Sequence, residues 1–340
     1  MKRWSCIAAL ILLAACAGPH QSAVDPTGPR AGDIAQLWWY FLALLGTIFV
    51  LVLALALLPL LKHRESSVQV PLEETHRPPE PTERRLTRIV AAASAVSVLI
   101  LIVLIVMSVL TGKAVSKPGA TAGRMVVEVT ASQWWWAIRY PNSDPSQIVI
   151  TANEIHIPVG RAVMVREVAL DVIHSFWVPN LQGKIDLIPS RVNTVWIQAD
   201  HAGRFRGQCA EFCGLQHAHM ALWVVAEAPE QFKKWMDHQL QPAVPPSDPA
   251  KAQGQHVFLD SACALCHAIT GTSAAGQNGP DLTHFGSRLT IAAGTLPNNK
   301  GNLGGWISDP QTIKPGNHMA TVPIKSTDMQ PLIEYLESLQ

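Results

Sequence analysis

Charge is scarce in this chain of 340 residues, of which Asp, Glu, Lys and Arg make up only 15%, against ~25% in an ordinary soluble protein. The 26 basic and 25 acidic side chains nearly cancel, to a net +1. The basic stripe or block of a nucleic-acid-binding protein is therefore missing. Tyrosine is rare, at 3 residues beside 11 tryptophans, and 25 prolines argue against a long helical bundle. No internal repeat is visible. The charge deficit is concentrated in two apolar stretches near the N-terminus, which excludes a purely cytoplasmic globular enzyme. At the usual ~100–200 residues per domain, two or three domains fit.

What is present begins with a targeting segment. Lys2 and Arg3 precede an apolar run from Ile7 to Ala15, so residues 1–15 read as a secretory signal peptide. Leu13-Ala14-Ala15-Cys16 resembles a bacterial lipoprotein cleavage box, in which Cys16 becomes the lipidated N-terminus. An ordinary signal ending at a chance cysteine is the alternative. Residues 16–36 would then be an exported segment. Charge-free runs at 37–61 and 89–111 each meet the ~20 residues needed to cross hydrocarbon as helix. Lys62, Arg64, Arg77, Arg84, Arg85 and Arg88 load the 62–88 loop with positive charge. That loop is expected in the cytoplasm, and everything after Lys113 outside.

Beyond this two-helix hairpin, residues 120–238 carry short β-type runs such as Met125–Thr130 and Asn193–Ile197, separated by turn residues. They predict a β-sandwich or barrel. Ala228–Leu240 reads as a closing helix, 239–250 as a Pro-rich linker, and 251–340 as a third, helical unit with Gly-rich loops. That unit has five basic and six acidic residues, so it shows no charged docking face.

The four cysteines outside the signal region fall in two pairs. Cys263-Ala-Leu-Cys266-His267 is a C-x-x-C-H sequence, the attachment site of c-type haem. Two thiols one helical turn apart can bond the vinyl groups, and His267 reaches the iron. Asn278–Leu282 matches the segment that packs on this histidine in small cytochromes c. Met319 is the expected second iron ligand, with His318 and Met329 as competitors. Methionine ligation suits electron transfer.

The other pair lies in Cys209-Ala-Glu211-Phe-Cys213-Gly-Leu-Gln-His217-Ala-His219-Met220. Thiolate, imidazole and thioether together suit copper. One Cys is too many and one His too few for a mononuclear site, and two thiolates can bridge two copper ions. The missing histidine comes from another strand, with His174 the first candidate and His156 and His201 the alternatives. A closed Cys₂His₂ zinc site or a Cys209–Cys213 disulfide would be the plainer readings.

The hairpin, Gln133-Trp134-Trp135-Trp136, His174-Ser175, Asp186–Arg191 and the Cys209–Met220 loop together closely resemble subunit II of haem–copper cytochrome c oxidases. With its C-terminal cytochrome the chain resembles the caa type. The resemblance implies a multidomain membrane protein: a transmembrane hairpin, a cupredoxin-like Greek-key β-barrel and an all-α class I cytochrome c domain. It also implies a dinuclear CuA centre bridged by Cys209 and Cys213. His174 and His217 would be terminal ligands, Met220 a weak ligand to one copper, and the Glu211 carbonyl a ligand to the other. The Glu211 side chain would help bind magnesium at subunit I. Trp134 would be the aromatic through which electrons enter, on an exposed face, whereas Trp135 and Trp136 are read as core. Ser190 stands where the family usually has glycine.

The expected function follows. The chain would pass electrons from a cytochrome c or similar donor through haem c and CuA to subunit I. There dioxygen is reduced with proton pumping; this chain has no dioxygen site. Subunits I and III, membrane lipid and the donor are the expected partners, with no nucleic acid. The place is the bacterial inner membrane, with the C-terminal domains periplasmic. A CuA-containing nitric oxide reductase subunit and a membrane-anchored electron carrier are the alternatives.

Overall fold

The structure, a computed structural model, describes residues 21–61, 80–117 and 125–340. The signal peptide at 1–15, Cys16 and the loop charges Lys62, Arg64 and Arg77 lie outside the described residues.

Two long helices come first: α1, Pro29–Leu61, and α2, Glu80–Ser116. At 33 and 37 residues, a rise of 1.5 Å per residue makes each about 50 Å or longer, more than the ~30 Å of hydrocarbon. Both extend beyond the charge-free runs. Pro29 starts α1, where a proline costs no helix hydrogen bond, and Glu80 and Glu83 in the first turn of α2 oppose its dipole. Phe49, Val50 and Leu99 are each more than half exposed. A helix apolar all round belongs in a core or a membrane.

The β-domain is built from β1 (Val126–Ser132), β2 (Trp135–Tyr140), β3 (Val149–Ala152), β4 (Glu154–Pro158) and β5 (Val163–Ala169), followed by β6 (His174–Trp177), β7 (Ile185–Leu187), β8 (Asn193–Ile197), β9 (Gly203–Cys209) and β10 (Ala221–Glu227). They form two five-stranded sheets, ordered β3-β2-β1-β5-β8 and β4-β10-β9-β6-β7. β1 with β5 and β4 with β10 pair in parallel. Alternation along β1 turns Val127, Val129 and Ala131 inwards, where they meet Trp136, Ile138, Phe176 and Leu222 from both sheets. Each such side chain contributes about 1.5–3 kcal/mol of apolar burial. Helix α3, Pro229–Gln239, packs Phe232, Trp235 and Met236 on this core. This is the cupredoxin-like unit expected.

Asp248 caps the next helix, accepting from Ala250 and Lys251 N–H. The cytochrome unit contains α4 (Pro249–Asp260), α5 (Cys263–Cys266), α6 (Lys300–Ser308), α7 (Pro310–Ile313) and α8 (Ser326–Glu337). Helices α4 and α8 cross at Gly254, where a Cβ would lie 2.0 Å from the Pro331 carbonyl oxygen; only glycine permits that approach. A small ribbon, β11 (Thr290–Ile291) with β12 (Leu296–Pro297), is added to the expected helices. The cupredoxin and cytochrome units belong to one compact body.

Candidate metal centre and haem site

The Cys209–Met220 loop is held at both ends by the sheet. Cys209 N–H donates to Met220 O (2.9 Å) and Ala210 N–H to Ser175 O (2.9 Å). His174 opens β6, which pairs with β9 so that Phe176 faces Cys209. Gly214, at φ +111°, turns the chain in a conformation that L side chains rarely adopt, and His217 N–H closes the turn on Gly214 O.

Six donors converge as a result. The Cys209 and Cys213 sulfurs are 3.7 Å apart and both thiols are free. His174 Nδ1 is 3.8 Å from Cys209 Sγ and His217 Nδ1 is 3.7 Å from Cys213 Sγ. Met220 Sδ lies 3.9 Å from Cys213 Sγ, and the Glu211 carbonyl is 3.2 Å from Cys209 Sγ. His174, Cys209 and Cys213 are buried and share one metal-sized space. Two thiols, two imidazoles, a thioether and a carbonyl form a soft donor set suited to copper. Contact with Cys213 holds the Cys209 thiol well below the ordinary range despite burial, and the Cys213 thiol is pushed up in return. A thiolate is the form that ligates.

The other histidines lie elsewhere. His156 stacks on Trp235 at 4.0 Å and sits between Glu154 and Glu227; His219 Nδ1 is 2.7 Å from Gln216 Oε1; His201 is exposed. Sequence reasoning gave no role to Asp171. Its Oδ1 lies 2.9 Å from His174 Nε2, and its Oδ2 accepts from Gln133 N–H (2.6 Å). A carboxylate behind an imidazole fixes the tautomer that leaves Nδ1 free to bind metal. The spacing Asp-x-x-His was the available signal. The Glu211 side chain is about half-exposed, 3.9 Å from Lys184 Nζ. Ser190 has φ +64°, the backbone reason for glycine at that turn.

One expectation is corrected. Trp134 is not on an exposed face but buried, at 8%. Its Nε1–H donates to Cys213 O (3.0 Å), beside a second donor, Gln133 Nε2 (2.8 Å). The cytochrome unit contributes to that burial, with the His318 ring centroid 6.3 Å from the indole and a Cβ on Gly316 3.9 Å from it, while the Gly214 turn and the β-domain core pack its other side. Trp136 is core, as expected, whereas Trp135 is only part-buried and stands outside that core.

In the cytochrome unit, His267 Nδ1 donates to Pro280 O (2.8 Å), which places the Asn278–Leu282 segment on the histidine as expected. Burial pushes the His267 pKa down, against that bond. The imidazole is therefore neutral, with Nε2 available to iron. A Cβ at Gly279 would come 2.6 Å from His267 Cε1, and one at Gly276 would come 2.4 Å from the Cys266 carbonyl carbon. Cys263 and Cys266 are free, the second exposed. The Met319 backbone is held by Asn317 Oδ1 (2.8 Å) and Gln311 Nε2 (2.9 Å). Met329 packs on the domain core instead.

Residues 143–227 match the family model described as "Cytochrome C oxidase subunit II, periplasmic domain", and residues 251–340 match that for cytochrome c. Over 334 residues, covering 97% of this chain and 94% of the relative, the chain is 33% identical to a cytochrome c oxidase subunit 2 of Alkalihalophilus pseudofirmus. The chain belongs to the cytochrome c oxidase subunit 2 family. A Bacillus sp. relative of the same name is 36% identical over 242 residues, 67% of this chain and 66% of that one. A crystal structure of the periplasmic domain of subunit II from Bradyrhizobium japonicum aligns at 29% identity and TM-score 0.33, over 37% of this chain and 96% of that one. The subunit 2 domain implies copper and the cytochrome domain implies haem. As a subunit 2 the protein partners with subunit I in a haem–copper oxidase, an oxidoreductase complex. Two long apolar helices fit a membrane subunit.

Proposed function

We propose that this subunit 2 takes electrons into a proton-pumping oxidase through covalent haem c and a dinuclear CuA centre. The observation that carries the reading is the convergence of the two thiols, His174, His217, Met220 and the Glu211 carbonyl within contacts of 3.2–3.9 Å. Copper bound there, and haem held at Cys263, Cys266 and His267, would each supply one-electron chemistry with little rearrangement.

The chain's own groups have distinct tasks. Cys209, Cys213, His174 and His217 would hold the copper, with Met220 and the Glu211 carbonyl as weaker donors, and Asp171 orients His174. Cys263 and Cys266 would hold the haem covalently, and His267 and Met319 would ligate its iron. Trp134 joins the two sites, since its indole touches the Met319 loop on one side and the Cys213 carbonyl on the other. The Glu211 side chain would face subunit I and help bind magnesium there, where the cation would displace the Lys184 ammonium from the carboxylate. Subunit III and a cytochrome c donor complete the assembly, set in the bacterial inner membrane with both C-terminal domains periplasmic.

The test is metal and haem analysis with EPR spectroscopy on the assembled oxidase. Two coppers in this subunit sharing one unpaired electron, with one covalent haem, are expected. A mononuclear signal, zinc, or a Cys209–Cys213 disulfide would refute the copper centre.

A further inference from the structure

Lys314 is 3% exposed, unusual for a residue that is almost never fully buried unless paired. It has no carboxylate partner among the described residues. Its Nζ donates instead to two backbone carbonyls on opposite sides of the domain joint: Trp134 O of the cupredoxin unit (2.8 Å) and Ala292 O of the cytochrome unit (3.1 Å). Burial draws its pKa down to about 7, with the Cys213 sulfur opposing. An amine in either protonation state carries at least two N–H donors, so both bonds survive.

We propose that Lys314 is a positioning residue that locks the cytochrome loop 314–319 onto the Trp134 face, so that the tethered cytochrome permanently occupies the surface where a free donor would dock. This rests on the functional reading above.

The turn that meets Lys314 is itself built for contact. Ala292, Ala293 and Gly294 run at φ +53°, +57° and +74°, a left-handed conformation that strains an alanine. Such strain persists only where the surroundings over-determine it. Here it aims Ala292 O at Lys314 Nζ and Ala293 O at Ala221 N–H (2.9 Å) of the cupredoxin unit. A Cβ at Gly294 would fall 2.7 Å from Ala221 Cβ, so the third residue must be glycine. Gln216 Nε2 pins the next residue of the loop through Pro315 O (2.7 Å). These contacts use one buried amine, one amide and backbone groups, and the same joint also carries Leu289 N–H on the buried Glu154 carboxylate and Arg288 Nη2 on Thr151 Oγ1 (3.4 Å). Exposed charge has no part in these contacts, and salt should leave them intact.

Amide hydrogen exchange on the assembled oxidase tests the lock. In Lys314→Met, segments 131–136 and 290–296 on the two sides of the joint should exchange at least about tenfold faster, with β9 and α8 unchanged. Lys314→Arg, which keeps the donors, should restore much of the protection. Exchange in Lys314→Met within about twofold of the parent at both segments overturns the proposal. If that variant does not assemble, the parent decides. Raising salt from about 0.05 to 0.5 M should leave both segments protected, and opening of the joint by salt overturns the lock. EPR and haem absorbance on the same samples report the functional reading separately: unaltered exchange with both centres present removes only the lock.

Discussion

The indole N–H of Trp134 donates to the carbonyl of Cys213, at 3.0 Å, from beneath a loop of the other domain. One side chain thereby touches a proposed copper ligand and the segment that leads to the proposed haem ligand Met319. Trp134→Phe keeps one aromatic ring, removes the donor and vacates the volume of the second ring at a buried site. The Cys213 carbonyl retains Gln133, so the lost hydrogen bond should cost about 1 kcal/mol, and the vacated volume adds to that. Electron transfer from haem to CuA should slow by about tenfold, a barrier change of ~1.4 kcal/mol. Flash photolysis measures it, and an unchanged rate would remove Trp134 from the path.

Asp171→Asn leaves every copper ligand in place but weakens the orientation of His174. Loss of a partner behind a metal-bound histidine typically lowers metal affinity by ~10–100-fold. Copper retention against a chelator series should show that loss with unaltered haem content. Parent-like retention would mean that β6 packing alone holds the imidazole.

Gly279→Ala drives a methyl into His267, whose Cε1 lies 2.6 Å from the added Cβ position. The imidazole must rotate or the Pro280 contact must break. Covalent haem yield should fall or the iron should change its ligand, both visible in the absorption spectrum. A normal ferrous spectrum at full yield would contradict the packing described.

Glu167 is fully buried on β5, and neither carboxylate oxygen has a hydrogen-bond partner among the described residues. Burial and the nearby Asp186 push its pKa well above the ordinary value. The folded state therefore binds a proton that the unfolded state releases above pH ~4.3. Its contribution to stability falls as pH rises from there towards the folded pKa. Glu167→Met should raise the calorimetric midpoint more at pH ~8 than at pH ~5. An equal shift at both pH values would show that the folded state holds no extra proton at Glu167 over that range.

Much of this organisation is legible in the chain itself because the chemistry is local. The C-x-x-C-H and Cys209–Met220 spacings place their donors within one turn or one loop, and the charge-free runs announce the long helices. His174 is brought to Cys209 only by β6–β9 pairing, so the sequence offered it beside His156 and His201. The stacking of His156 on Trp235 removes one rival. The burial of Trp134 was not legible. It depends in part on docking of a domain that begins more than a hundred residues later, through Lys314 and the strained Ala292–Gly294 turn, and neither carries a motif.

The central claim is that electrons cross from the haem unit to the copper unit within one chain. In the assembled oxidase, a photoactivated ruthenium complex should reduce haem c first. CuA should then gain its electron in a first-order step whose rate does not depend on protein or donor concentration. A CuA reduction rate that scales with donor concentration, or CuA reduced ahead of the haem, would contradict the account.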